Sequence, residues 1–328
     1  MSDPYSKAVE AYKKGDSKNA IKHFKKAIKL ADKINKQKIK GEILQTLAFA
    51  YTMDGQLQEG IKSMKASVII FDKYKLYIKV VEGLAYIGAL NFKIKQIELA
   101  LKYYNEAQRI IRVKKIHNQC RELEADICAD LGSIYDNKEK FVISLEKYNR
   151  ALKLYRKTEN KRGEARTYLD VGIMYSHQDN YDEAKTNIEK ALKWLKKFND
   201  LGSMADCHLT LGNIYKEQKN WSHSMTELKK ALVIYETQNN PIGIAESIMG
   251  IGIAQGNIKG KELDAKKNLQ QAIIFMEKLK DNKLEGICLA WLAKIKNNLG
   301  EPDAEKFKNK AVKILSKIGK EKLLTKIK

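Results

Sequence analysis

A small residue returns at a near-constant interval along this chain: Ala8, Ala48, Gly88, Gly132, Gly172, Gly212, Gly252 and Ala293, with spacings of 40, 40, 44, 40, 40, 40 and 41 residues. Other columns keep register with this anchor. Three residues after it a tyrosine is frequent, at Tyr51, Tyr135, Tyr175 and Tyr215. Twelve residues after it comes a small residue, as at Ser144, Ala184 and Ser224, and four further a large one, as at Tyr148, Ile188 and Leu228. Three further again the residue is small once more, as at Ala151, Ala191 and Ala231. Steps of four and three keep side chains on one helix face. Polar breakers such as Asp54-Gly55-Gln56 and Gln178-Asp179-Asn180 interrupt each unit once, so the unit reads as helix, turn, helix. Glycine inside a helix costs up to about 1 kcal/mol against alanine. Its return at a fixed place therefore marks a close helix–helix approach. One hairpin cannot bury its own apolar face, and stacking on neighbours follows. The three prolines, Pro4, Pro241 and Pro302, suit a chain that is helical almost throughout.

The stretches YLDVGIMYSHQDNYDEAKTNIEKAL and HLTLGNIYKEQKNWSHSMTELKKAL resemble tetratricopeptide repeats, and the resemblance runs from residue 5 to about residue 318. It implies an all-α, right-handed superhelical solenoid of eight hairpins with a C-terminal capping helix. The expected organisation is a single solenoid over 1–328. Its repeats fall at about 1–35, 36–75, 76–117, 118–159, 160–199, 200–239, 240–281 and 282–318, with a cap over 311–328. Two departures stand out: the period is about 40 rather than 34, and the proline that usually closes the second helix is absent. In this the chain is similar to cell-polarity adaptors that bind G-protein α subunits and to kinesin light chains, although the adaptors' C-terminal Gα-binding motifs have no room here. The first and last copies are degenerate, with Lys7 before the first anchor and Lys296 and Lys308 in the last unit, as expected of ends that face water. The four extra residues between Gly88 and Gly132 fall near Arg112–His117 and read as one added helical turn.

Charge is uneven. The net charge of +22 is carried mostly by the ends: residues 1–40 hold 12 Lys against 4 acids, and residues 306–328 hold 9 Lys against 1 acid. With 7 Arg to 55 Lys, the bidentate contacts of nucleic-acid readers are scarce, which disfavours a nucleic-acid partner. The segment from Ala311 to Lys328 sets aliphatic residues among lysines and reads as the end cap, with a basic amphipathic helix on a membrane surface as the alternative. No apolar run approaches the ~20 residues of a membrane helix, and no signal-peptide core follows Met1. The scattered Cys120, Cys128, Cys207 and Cys288 fit core-filling thiols in a reducing, cytoplasmic setting.

Motifs of catalysis fail on inspection. Gly256-Asn257-Ile258-Lys259-Gly260-Lys261 has phosphate-loop composition, but its glycines are one residue too close and Glu262 stands in the Ser/Thr place. Gly250, Gly252 and Gly256 lack the dinucleotide spacing. Cys207, His208 and His223 offer no fourth metal ligand, and His208 reads as a core residue. The chain therefore reads as non-catalytic, with no cofactor and no metal.

In the resembled family the first helices line an inner, concave wall. By that resemblance the inward positions lie six and three residues before the anchor, and one, four and five after it. The expected binding wall is formed by repeats four to seven, with Arg166, Leu169, Ile173, Asp206, Leu209, Asn213, Lys216, Met249, Ile253 and Asn257 as its candidate residues. The outermost column reads Glu42, Glu82, Asp126, Arg166, Asp206 and Glu246, so the wall is apolar with an acidic border. Acids in a first helical turn are also favoured by the macrodipole alone. The expected function is a scaffold or adaptor holding a protein partner, as an extended or helical segment that is basic and apolar. A ligand-controlled regulator resembling helical-repeat peptide receptors, and binding of nucleic acid or an anionic surface through the lysine-rich ends, are the alternatives. The oligomeric state is open.

Overall fold

The computed structural model describes residues 3–327; Met1, Ser2 and Lys328, which fall in the expected first repeat and cap, lie outside the described residues. Among these residues the fold is all-α, in paired helices. The chain divides into two compact units, Met1–Glu164 and Ala165–Lys328. The first contains α1 (Pro4–Lys13), α2 (Ser17–Lys33), α3 (Gln37–Met53), α4 (Leu57–Lys73), α5 (Tyr77–Lys93), α6 (Ile97–Val113), α7 (Arg121–Asn137) and α8 (Phe141–Lys157). The division falls inside α9 (Lys161–His177). The second unit continues with α10 (Tyr181–Lys197), α11 (Leu201–Glu217), α12 (Trp221–Thr237), α13 (Pro241–Gly256), α14 (Glu262–Leu279), α15 (Asn282–Asn298) and α16 (Ala304–Lys317). A 3-10 helix over Glu321–Ile327 ends it.

The 40-residue period is built from equal parts. From α3 to α6 each helix has 17 residues and each connection three. The middle residue of the connection turns left-handed every 20 residues: Gly15, Asn35, Gly55, Lys75, Lys95 and Lys115, then, after the insertion, Glu139, Glu159, Asp179, Asn199, Lys219 and Asn239. This conformation lets the chain close the helix end. Carbonyls of the tyrosine column close it: Tyr135, Tyr175 and Tyr215 accept from the amides of Lys140, Asn180 and Asn220 at 2.9, 3.0 and 2.8 Å. Starts are capped where the sequence supplies Asp or Asn, as Asp200 does for the Ser203 amide and Asn240 for the Gly243 amide.

The anchor glycines sit where the helices of one hairpin press together. A methyl group on Gly132, Gly172 or Gly212 would lie 2.6 Å from Tyr148, Ile188 or Leu228, the large column of the second helix. Beside the contact, Ser144 and Ser224 donate to the carbonyls of Gly132 and Gly212 at 2.9 and 2.8 Å. Ala184 occupies the same place in its hairpin, and Ala151, Ala191 and Ala231 are fully buried.

Two expectations are corrected. The four extra residues do not lengthen α6, which ends at Val113 like its counterparts because Lys115 turns left-handed. They form a separate turn in which the Cys120 amide donates to the Ile116 carbonyl at 3.2 Å. Lys296, read as a water-facing end residue, is buried. Its ammonium pairs with Glu301 and, at 2.7 Å, with Asp303, and it lies 5.1 Å from the Phe307 ring centre. Part of the expected cap, Ala311 and Leu315, belongs to the core face of α16, while Leu324 and Ile327 of the 3-10 helix pack on the last apolar cluster.

Candidate functional site

In the second unit, α9, α11 and α13 carry the residues singled out by the repeat register. Arg166 is exposed and holds Asp200 at 2.7 Å. Burial pushes the Asp200 carboxyl up, but the bonds from Arg166 and the Ser203 amide outweigh it, so the group sits below its usual range. Ile173 is partly buried against the cluster around Ile188 and Leu211. On α11, Leu209 is partly buried beside Ala205, Ala231 and Tyr235, and Asn213 accepts from the Lys216 ammonium at 3.0 Å. On α13, Met249 is partly buried, and the Asn257 amide donates to the Ile253 carbonyl at 2.8 Å.

Two residues of the set go inward. Leu169 and Ile253 are 5% and 3% exposed and belong to apolar clusters between hairpins. Leu169 shares its cluster with Cys207 and Leu211 of the following first helix, and Ile253 shares its own with Leu289 and Leu292. Their side chains are covered because successive first helices pack edge to edge at these positions. The accessible apolar surface therefore comes from Ile173, Leu209 and Met249.

The acidic column splits in two. Asp126 and Asp206 each accept the hydroxyl of a tyrosine from their own hairpin, Tyr155 and Tyr235; the second bond measures 2.5 Å. Those acids hold structure as well as charge. Burial raises the Asp206 carboxyl, the tyrosine bond lowers it again, and Asp200 adds to the rise. Glu246 has no hydrogen-bond partner among the described residues. Burial raises it most, followed by the like charges of Asp281 and Asp206, with Lys283 and Lys216 opposing. The α11–α13 face thus holds more negative charge than its own lysines balance. Glu246 stood in the acidic column, but its unpartnered state became visible only in three dimensions.

Other polar groups have internal partners. His208 lies 2.6 Å from Glu227, whose carboxyl drops to about 2 through that bond, against its burial, with help from Lys230. Burial pushes the Cys128 and Cys288 thiols up to about 11 and about 12. In the first unit the connection 114–120 opens a cleft beside Ile78, Glu82, Glu122 and Asp126, which the sequence register did not reveal because the insertion interrupts it there.

Two tetratricopeptide-repeat family models match, one over residues 125–197 and 165–237 and the other over residues 5–34. No curated protein matches by sequence. Among solved structures, a signal-transduction ATPase with a tetratricopeptide-repeat sensor from Pyrococcus horikoshii aligns over 94% of this chain at 15% identity and TM-score 0.67. This chain spans 47% of that protein's length. A Rap protein complexed with competence and sporulation factor aligns over 88% of this chain and 80% of its own, at 14% identity and TM-score 0.65. A tetratricopeptide-repeat protein from Parabacteroides merdae aligns over 82% and 90%, at 16% identity and TM-score 0.58. At such identities the likeness bears on fold. With family matches in both units and the same hairpin build from α1 to α16, the chain is a tetratricopeptide-repeat protein.

Proposed function

We propose that this chain is a protein-interaction scaffold whose α11–α13 face takes an extended peptide bearing Lys or Arg next to an aliphatic side chain. The observation that carries the reading is the pairing of accessible apolar atoms on Leu209 and Met249 with the unbalanced carboxylates Asp206 and Glu246. Apolar anchors give such a contact its affinity, and the field of the acids selects the partner and speeds encounter. Arg166 and Ile173 extend the face along α9; Asn213, Lys216 and Asn257 supply polar edges to it. The Rap protein of similar fold is complexed with competence and sporulation factor, which supports the capacity of such a protein to hold a ligand.

The test uses two variants. Asp206→Asn keeps an acceptor for Tyr235, and Glu246→Gln keeps size; together they remove two charges. Peptides selected on the wild-type protein should bind the double variant about tenfold more weakly and lose most of their salt dependence. Unchanged affinity at low salt, with the same melting curve, would remove the acids from the site.

A further inference from the structure

The first unit carries a charged face that the binding site just described does not use. Lys22, Lys25, Lys29 and Lys33 of α2 follow one another at steps of three and four residues, and all are exposed. They therefore form one stripe along the helix, about 16 Å long at 1.5 Å per residue. Lys26 flanks it. The opposite face of α2 is the core face, through Ala20, Ile21, Phe24, Ala27 and Ala31. The helix holds six lysines against one acid, Asp32, and that acid is taken by Lys40 at 2.7 Å. Among the described residues no carboxylate pairs with Lys22, Lys26, Lys29 or Lys33, and Lys25 lies only over the Tyr51 ring.

The next hairpin repeats part of the pattern, since Lys62, at the position of Lys22, is paired with Glu59 at 2.6 Å. Forty residues on, Lys65 and Lys73 stand at the positions of Lys25 and Lys33, and both are exposed. At the position of Lys29 stands Ile69, 71% exposed, and at the end of α2 Leu30 and Ile34 are 41% and 55% exposed. Aliphatic side chains left in water among ammonium groups, those of the α2 stripe without a carboxylate partner, have a use at one kind of surface. An anionic bilayer attracts the lysines through its headgroups and takes the aliphatic side chains just beneath them. Nucleic acid would use the charge but leave Ile69, Leu30 and Ile34 in water. It would also be met without a single arginine, since the first arginine of the chain is Arg109.

We infer that the α2–α4 face of the first unit docks on an anionic lipid surface. It rests on residues separate from the α11–α13 face, so either reading can fail without the other.

The experiment is co-sedimentation of the full chain with vesicles of phosphatidylcholine, with and without about one third phosphatidylserine. The chain should bind the anionic vesicles and leave the neutral ones. The variant Lys22→Glu/Lys25→Glu/Lys29→Glu should lose at least about a hundredfold in partition, since each lysine near the surface is worth about fivefold and each glutamate adds repulsion. A control with the same charge change, Lys193→Glu/Lys229→Glu/Lys278→Glu, should stay within a few-fold of wild type. Ile69→Ser should weaken binding several-fold with an unchanged melting temperature. Equal binding to neutral vesicles, or equal loss in the control, would overturn the proposal. So would a wild-type chain that ignores both vesicles and instead binds a single-stranded oligonucleotide through the same lysines.

Discussion

The hydroxyl of Tyr235 donates to Asp206 at 2.5 Å, and the ring of the same tyrosine fills the space that a side chain on Gly243 would need, 2.4 Å from the missing Cβ. Tyr155 stands in the same relation to Asp126 and Gly163. These tyrosines tie the two helices of one hairpin and press on the start of the next. Tyr235→Phe should therefore lower the unfolding free energy by about 1 kcal/mol, because the Asp206 carboxylate loses its donor. Denaturant unfolding of the two proteins measures the difference; equal midpoints would show the bond to be idle.

The anchor glycines give a prediction in which two effects oppose. On helix propensity alone, Gly172→Ala and Gly212→Ala would stabilise by up to about 1 kcal/mol. The methyl would meet Ile188 or Leu228 at 2.6 Å, and overpacking of that kind costs about 1–3 kcal/mol. Net destabilisation is expected for both. Gly202→Ala is the control, since its nearest neighbour is 3.7 Å away on the flexible Gln238 side chain, and it should be neutral or stabilising. Thermal melts of the three variants decide the order.

Lys95 and Lys219 hold left-handed backbone at φ 62° and 57°. A side chain in that region costs about 1 kcal/mol that glycine avoids. Lys95→Gly and Lys219→Gly should each raise stability by up to that amount, read as a higher urea midpoint with unchanged slope. A fall in either midpoint would contradict the turn geometry.

These turns also show where sequence reading stopped. The anchor column, the Ala/Ser column opposite it and the hairpin count were legible because the same packing problem recurs at one period. The turn was legible where Gly, Asp or Asn marks it, as at Gly55 and Asp179, but its strict 20-residue recurrence was not, since lysine and glutamate at Lys75, Lys95 and Glu139 carry no turn signal of their own. For the candidate face, register singled out Leu209 and Met249, which are partly buried. It could not tell them from Leu169 and Ile253, because burial there depends on the neighbouring helix. The roles of Asp126 and Asp206 were hidden for a similar reason. Read as first-turn acids they look like helix-dipole partners, but each stands six residues into its helix, where the tyrosine 29 residues away reaches it.

Asp130 supplies a pH test. Burial raises its carboxyl to about 6 from an ordinary value of 3.8, with Asp126 adding to the rise and the Tyr104 hydroxyl, at 2.6 Å, opposing it. The folded state then holds a proton that the unfolded state has lost, so stability falls as pH rises from about 4 to about 6. Asp130→Asn keeps an acceptor for Tyr104 and removes the titration. Its stability should be flatter over that window and higher than wild type at pH 7 by up to about 3 kcal/mol. Parallel pH profiles in the two proteins would contradict the assignment.

The central claim is that Leu209 and Met249, set beside Asp206 and Glu246, form the surface that recognises a partner. Its most direct measurement is a random-peptide display library selected on the wild-type protein and then titrated against Leu209→Glu/Met249→Glu. Both positions are partly exposed, so the variant should fold, which its circular dichroism and melt would verify. Enriched peptides should carry Lys or Arg beside an aliphatic residue and bind the variant at least about tenfold more weakly. Enriched peptides that lack a cation, or that bind the folded variant as tightly as wild type, would contradict it.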